Sequence, residues 1–356
     1  MKRIGAIILV IACILPAMSQ QTKKLTAEKH NEYGLVYSLP LTAFRIEVVA
    51  VKETKVGGPF SKYAKIFTSN SNVISKDEVN WTIESVRVTP YGVADQDDRY
   101  LMQLKPGALT YIEVAEDGML LSINKEVEFP QQAALQVTEM EGTPVTGKEY
   151  LNYVNEDFIS ATSSYKKAQL IAEEIMEVRD ARLSLTRGTA DTMPTDGRQL
   201  EIMLGSLENQ EQSLVNAFTG ASWKERIVRT YTFLPEEEGK SVLCRVSATE
   251  GLVAPDNTKG DPLYVTIYPT EEAQLPVDAK GEEKKVPKDA VMYCIPGTAE
   301  LTLNYKGNNL FREEFPVSQF GVPFGLSPSI FTDKKEPSFA IFDPSTGALK
   351  ELGTLK

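Results

Sequence analysis

The hydrophobic period of this chain changes twice, and that pattern constrains the fold more than any composition value. Up to about residue 150, and again after Trp223, apolar side chains alternate by twos as in strands. Between Glu156 and Gly220 they recur every three or four positions, as on the buried face of a helix. The switch predicts an α+β, mainly β protein. Two antiparallel β-sandwich-like lobes, over 33–150 and 223–356, flank an antiparallel helical hairpin over 156–220.

Within the first lobe, Thr42 to Glu53 sets Phe44, Ile46, Val48 and Ala50 against Arg45 and Glu47, a half-buried strand. Gly57, Gly58 and Pro59 break it, and Phe60, Tyr63, Ala64 and Phe67 then fall at helical spacing. Val79 to Val88 is a second strand, and Leu109 to Ile123 a hairpin about Asp117-Gly118, a pair that tolerates positive φ. In the helical region, Ala168, Ile171, Ile175, Val178 and Leu185 lead to Gly188, a C-terminal cap. Asp196 caps the second helix, whose stripe of Leu200, Met203, Leu204, Leu207, Leu214 and Phe218 ends at Gly220. That stripe packs on the protein's own core or meets a partner; Leu200, Met203, Leu207, Leu214 and Phe218 are the candidate partner face. Beyond Trp223, strands are expected over Arg226 to Leu234, Ser241 to Ser247, Leu263 to Tyr268, Ala290 to Ile295 and Glu300 to Tyr305. Gly307-Asn308 marks a turn, and Phe339 to Leu352 forms a final hairpin.

Residues 1–19 read as a secretory signal. Lys2 and Arg3 precede an apolar run from Ile4 to Leu15, and Ala17-Met18-Ser19 offers a small-residue cleavage site between Ser19 and Gln20. The run is about 12 residues, against the ~20 a transmembrane helix needs, so no transmembrane segment is expected. Val10-Ile11-Ala12-Cys13 also has the form of a lipobox, which would anchor the protein at Cys13. Against this, Ile14, Leu15 and Pro16 continue the apolar run instead of starting a polar tether. Residues 20–32 form a polar leader.

The formal charge is −11, and loss of Lys2 and Arg3 with the signal takes it to −13. Such a surface repels phosphate backbones and anionic headgroups, which argues against nucleic acid and membrane surfaces as partners. Apart from Cys13, the chain has two cysteines, Cys244 and Cys294. Both sit in strand-like runs of an exported chain, and a disulfide between them would close a loop of about 50 residues for ~4 kcal/mol. Two separately buried thiols are the competing reading. His30 is the only histidine. Mechanisms built on Ser-His or Cys-His pairs must therefore run through one residue of the leader, and a multi-histidine zinc site is impossible. No cofactor is expected.

Five further clusters offer candidate chemistry. Asp95, Asp97 and Asp98 cluster in an expected loop between strands and have the oxygen chemistry calcium prefers, but lack the glycine of an EF-hand loop; Asp256, Asn257 and Asp261 are weaker still. Glu236, Glu237 and Glu238 could supply carboxyls for glycoside hydrolysis, yet strand neighbours point to opposite faces. Trp81 and Trp223 with the tyrosines could stack sugars, although aromatics alternating along strands are mostly core. Glu173, Glu174, Glu177, Arg179, Asp180 and Arg182 form a mixed-charge helix face, with Arg179 and Arg182 beside the apolar stripe.

Three stretches carry a resemblance. They are Asn31-Glu32-Tyr33-Gly34-Leu35-Val36-Tyr37-Ser38-Leu39-Pro40, Gly58-Pro59-Phe60-Ser61-Lys62-Tyr63-Ala64, and Ala172 through Ala190, Pro194, Asp196 and Gly197 to Phe218-Thr219-Gly220. In them the chain resembles a family of exported Bacteroidetes proteins described as a domain of unknown function. The resemblance spans nearly the whole mature chain and implies an architecture and a compartment, the periplasm or cell surface of a Gram-negative bacterium, but no catalytic residue. It also implies cyclisation of Gln20 and O-glycosylation of Thr192 within Asp191-Thr192-Met193. The expected function is a non-catalytic binding or assembly module of the cell envelope, its partner an envelope protein or a glycan. The alternatives are a carbohydrate-binding or carboxylate-dependent glycan-hydrolysing protein, and self-association through the hairpin.

Overall fold

A computed structural model describes residues 21–24, 34–103, 111–129, 133–135, 139–333 and 335–355. The signal, Ser19, Gln20, Cys13 and His30 lie outside these. The strands are β1 (Gln21–Lys24), β2 (Leu35–Val56), β3 (Glu78–Gln103), β4 (Ile112–Val114), β5 (Leu120–Ile123), β6 (Met140–Glu141), β7 (Ala221–Phe233), β8 (Gly239–Ser247), β9 (Gly251–Val253), β10 (Asp261–Glu271), β11 (Val291–Tyr305), β12 (Asn308–Leu326), β13 (Ser338–Phe342) and β14 (Leu349–Thr354). The helices are α1 (Ala64–Phe67), α2 (Glu156–Ser160), α3 (Ser164–Arg187) and α4 (Gly197–Thr219). Strand outweighs helix by 46% to 22%, so the protein is α+β and mainly β.

Three antiparallel sheets carry the fold. Their orders are β1-β3-β2-β7-β6, β12-β11-β10-β8-β9 and β14-β13-β5-β4. Phe44, Ile46 and Val48 of β2 meet Leu263, Val265, Ile267, Leu301 and Leu303 of the second sheet to make one sandwich core. A second core forms where Tyr37, Leu39, Tyr100 and Met102, at the other ends of β2 and β3, meet Tyr293 and Phe324 of the second sheet and Ile123, Ala340 and Phe342 of the third. β2 can serve both because its 22 residues extend about 70 Å at ~3.3 Å per residue.

The sheets join residues from both ends of the chain. β7 lies beside β2, with Val49 opposite Val228, and β13 lies beside β5, with Ala340 opposite Ile123. The two cores are pinned at Thr42, which is fully buried. Its N–H donates to Ser318 Oγ and Gln319 Oε1 at 2.9 and 3.0 Å, and Gln319 Nε2 donates to the Thr42 and Pro235 carbonyls, both at 2.9 Å.

Three expectations are corrected. Glu47 does not face water: it is 0% exposed, because residues 133–135 cross its face of β2 and Leu135 N–H donates to its carboxylate at 2.7 Å. Asp95, Asp97 and Asp98 lie not in a loop between strands but in a bulge inside β3, since Pro40 pairs with Ala94 and Ser38 with Arg99. The disulfide is absent: Cys244 and Cys294 are both free and buried.

The register shows why they cannot bridge. Cys244 pairs with Leu263, which pairs with Tyr305, whereas Cys294 lies at the opposite end of β11. That separates them by about 35 Å along the sheet at ~3.3 Å per residue, against the ~7 Å limit for bridgeable Cα atoms. Alkylation of the unreduced protein should therefore label both Cys244 and Cys294 after denaturation and neither in the native state; a disulfide-bonded peptide joining the two would contradict this arrangement.

Candidate functional site

The helical hairpin rises from the first sheet on a fixed base. Ser163 caps α3 by accepting the Lys166 N–H at 3.1 Å, and Gly188 ends it in the left-handed region at φ 70°. Asp196 caps α4 by accepting the Gln199 N–H at 2.8 Å. At the base, Phe60 N–H donates to the Ala217 carbonyl and Ile74 N–H to that of Thr219, at 2.9 and 2.7 Å. Gly220 is required there: its φ is 69°, and a Cβ would stand 2.6 Å from the Val56 carbonyl oxygen. Phe60, Phe158, Ile171, Ile175, Leu214 and Phe218 form a third core about this attachment.

The predicted partner stripe is thereby divided. Leu214 and Phe218 are 0% exposed in the base core, and Leu207 packs against it. Leu200 is half-buried, while Met203 is 41% and neighbouring Ile202 64% exposed near the tip. Between the two regions Arg179 and Arg182 of α3 clamp Glu211 of α4, at 2.6 and 3.0 Å. The two arginines thus make an interhelical ion pair with a carboxylate that is largely buried.

Beyond the clamp a cleft of about 660 Å³ opens between the helix ends. Leu185, Met203 and Leu207 give it apolar walls, Ala181, Ser184 and Ser206 make room by being small, and Asp191 and Thr192 stand at its edge. Thr192 is exposed, as access to a modifying enzyme requires. An apolar cleft with a few polar groups at its rim can take one or two side chains of another molecule.

The remaining candidates do not converge. Trp81 closes one end of the first sandwich, where a Cβ on Gly251 would fall 2.9 Å from its indole, and Trp223 donates to Glu225 at 3.1 Å. Glu236, Glu237 and Glu238 lie exposed in the turn between β7 and β8. Asn257 accepts the Lys259 N–H at 3.0 Å, and Asp261 pairs with Lys306 at 3.0 Å. Asp95, Asp98 and Cys294 share a small cavity of about 170 Å³ with Ser318 and Gln319. Asp98 accepts the Tyr100 hydroxyl at 3.1 Å. Burial, and then the Asp98 charge, push the Cys294 thiol up to about 12, and burial raises Cys244 as well. Both stay protonated and weakly nucleophilic at neutral pH. Among the described residues no three His, Cys, Asp or Glu side chains group as a metal set, and no helix is long and apolar enough to cross a membrane.

A family model described as a domain of unknown function, DUF4831, matches residues 33–350, which takes in both sandwiches and the hairpin. The chain belongs to this family. Neither a curated protein nor a solved structure matches it. In this DUF4831 chain the match makes the two sandwiches and the hairpin parts of one family unit. Sequence reasoning found the stripe on α4 but not where it divides. The division is set by the residues 57–75 that pack on its lower half, and no pattern within α4 reports them.

Proposed function

We propose that this DUF4831 protein is an exported, non-catalytic binding or assembly module of a Gram-negative cell envelope, with the hairpin tip as its contact surface. The observation that carries the reading is the divided stripe: its lower half is consumed by the base core, while Met203 and Ile202 stay in water beside an apolar cleft. An apolar surface held about 22 Å from Phe218 on a clamped hairpin, at ~1.5 Å per helical residue, contributes nothing to the sandwich cores and suits a partner. Among the described residues, the buried, protonated thiols and the dispersed carboxylates form no assembled catalytic set to compete with this reading. The buried lower half of the stripe and its exposed tip differ in the way a structural anchor differs from a contact face. Export with cleavage before Gln20, and a glycan on Thr192 at the cleft edge, belong to the same proposal.

The test is site-specific photo-crosslinking in the native envelope, with the probe at position 203 and a control probe at position 117 in the exposed β4–β5 turn, at the end of β2 opposite the hairpin base. A discrete adduct at 203 and none at 117 is the expected result, and quantitative mass spectrometry reads whether the adduct is an envelope protein or a second copy of the chain. No adduct at 203 in protein of native abundance would overturn the hairpin as the contact surface.

A further inference from the structure

A second surface lies on the second sheet, away from the hairpin. Leu263, Val265 and Ile267 point into the sandwich core at 0–1% exposure, so the alternation of β10 turns Tyr264, Thr266 and Tyr268 outward. Tyr268 is 51% exposed. The two tyrosines stand on one face about 13 Å apart, four residues at ~3.3 Å each. The adjoining strand sets Asn304 opposite Tyr264, Thr302 opposite Thr266 and Glu300 opposite Tyr268. At that pairing neighbouring side chains are within ~5.5 Å of each other, so amide, hydroxyl and carboxylate groups line the row of rings.

The charges on this face are balanced. Lys306 pairs with Asp261 at 3.0 Å and Arg312 with Glu300 at 2.6 Å, and Lys240 places its ammonium 3.7 Å from the Tyr264 ring centre. Lys240, Lys306 and Arg312 offset Asp261, Glu300 and the exposed Glu314, on a protein whose formal charge is −11. A depression of about 360 Å³ opens over Tyr264, rimmed by Lys240, Asp261, Asn304 and Lys306. Flat rings alternating with short polar groups, with donors and acceptors in equal supply and no net charge, match a ligand made of apolar ring faces edged by hydroxyls.

We infer that the outer face of β10 and β11 binds a neutral oligosaccharide, with one sugar ring displacing the Lys240 ammonium to lie against Tyr264 and another against Tyr268. A hydroxyl both donates and accepts, so paired Lys306–Asp261 and Arg312–Glu300 can each bridge vicinal hydroxyls without leaving a charge unpaired. A carboxylate-bearing sugar would instead face Glu300 and Glu314 at the Tyr268 end. This inference stands on a different surface from the hairpin and does not depend on it.

The experiment is calorimetric titration of the full chain with neutral hexasaccharides of the xylo-, manno-, cello- and malto- series, with oligogalacturonate as the charged comparison. At least one neutral series should bind at millimolar concentration. Tyr264→Ala and Tyr268→Ala should each weaken it by about tenfold, equivalent to ~1.4 kcal/mol, with unchanged thermal midpoints. Tyr268→Phe should retain binding, because the ring and not the hydroxyl carries the contact, and Met203→Ala should leave it untouched. Absence of binding by every neutral series, binding that survives both alanine substitutions, or preference for oligogalacturonate would each overturn the inference.

Discussion

Replacing Arg87 with alanine will destabilise the protein by about 3 kcal/mol at neutral pH, the lower end of the cost of breaking a buried ion pair. Glu47 is 0% exposed on the central strand β2, and Arg87 Nε donates to its carboxylate at 2.6 Å. Burial alone would raise the Glu47 carboxyl. The Leu135 N–H and Arg87 outweigh that and hold it below the usual range, with Arg45 adding to the effect. Loss of Arg87 leaves the carboxylate buried with fewer partners, and Arg45 limits the damage. Arg87 also donates to the Ala133 carbonyl at 3.0 Å, so the segment over β2 loosens with it.

The converse substitution costs less. Glu47→Gln leaves Arg87, whose side chain is 37% exposed, free to reach water. The pH dependence follows from the depressed carboxyl. Its stabilising contribution is complete above the unfolded value of ~4.3 and is lost as pH falls through the lower folded value. The gap between wild type and Arg87→Ala should therefore be full at pH 7 and close on acidification below about pH 4. Denaturant unfolding at the two pH values reads both, and a gap that widened in acid would contradict the pairing.

The elements legible in the sequence were those whose reasons are local. Gly188, Asp196 and Gly220 bound the hairpin because a left-handed residue and a side-chain cap act within one turn of helix. Asp117-Gly118 likewise places the β4–β5 turn, with Gly118 at φ 94°. What stayed hidden depends on residues far away. No strand period marks β12 in the sequence, because it is an edge strand with Arg312, Glu313, Glu314, Pro316 and Pro323 along it, residues that protect an edge and obscure the period. The sequence pattern divides β11 into two short strands, over Ala290 to Ile295 and Glu300 to Tyr305, and that division makes Cys244 and Cys294 look like neighbours. As one continuous strand it carries them to opposite ends of the sheet. The tyrosine row was visible as alternation in Leu263 to Tyr268, but which face was covered could be known only from the first sheet packing on the other side.

Phe218→Ala should have the larger effect, about 3–5 kcal/mol for a buried phenylalanine, and a localised one. Phe218 is 0% exposed, with ring centres of Phe60 and Phe67 at 6.2 and 6.3 Å, and it lies one turn above Leu214 in the same core. These contacts join α4 to residues 57–75, and with the Ile74–Thr219 and Phe60–Ala217 hydrogen bonds they hold the hairpin to the first sheet. The two sandwich cores share no side chain with this one. Hydrogen exchange should consequently lose protection over 57–75 and 164–219 while β10 and β11 keep theirs, since local opening follows the cooperative unit that lost its packing. The consequence for function is specific. A loosened base no longer fixes the direction of the tip, so crosslinking from position 203 should fall while oligosaccharide binding on β10 persists, and loss of both together would mean that the hairpin and the sandwiches unfold as one unit.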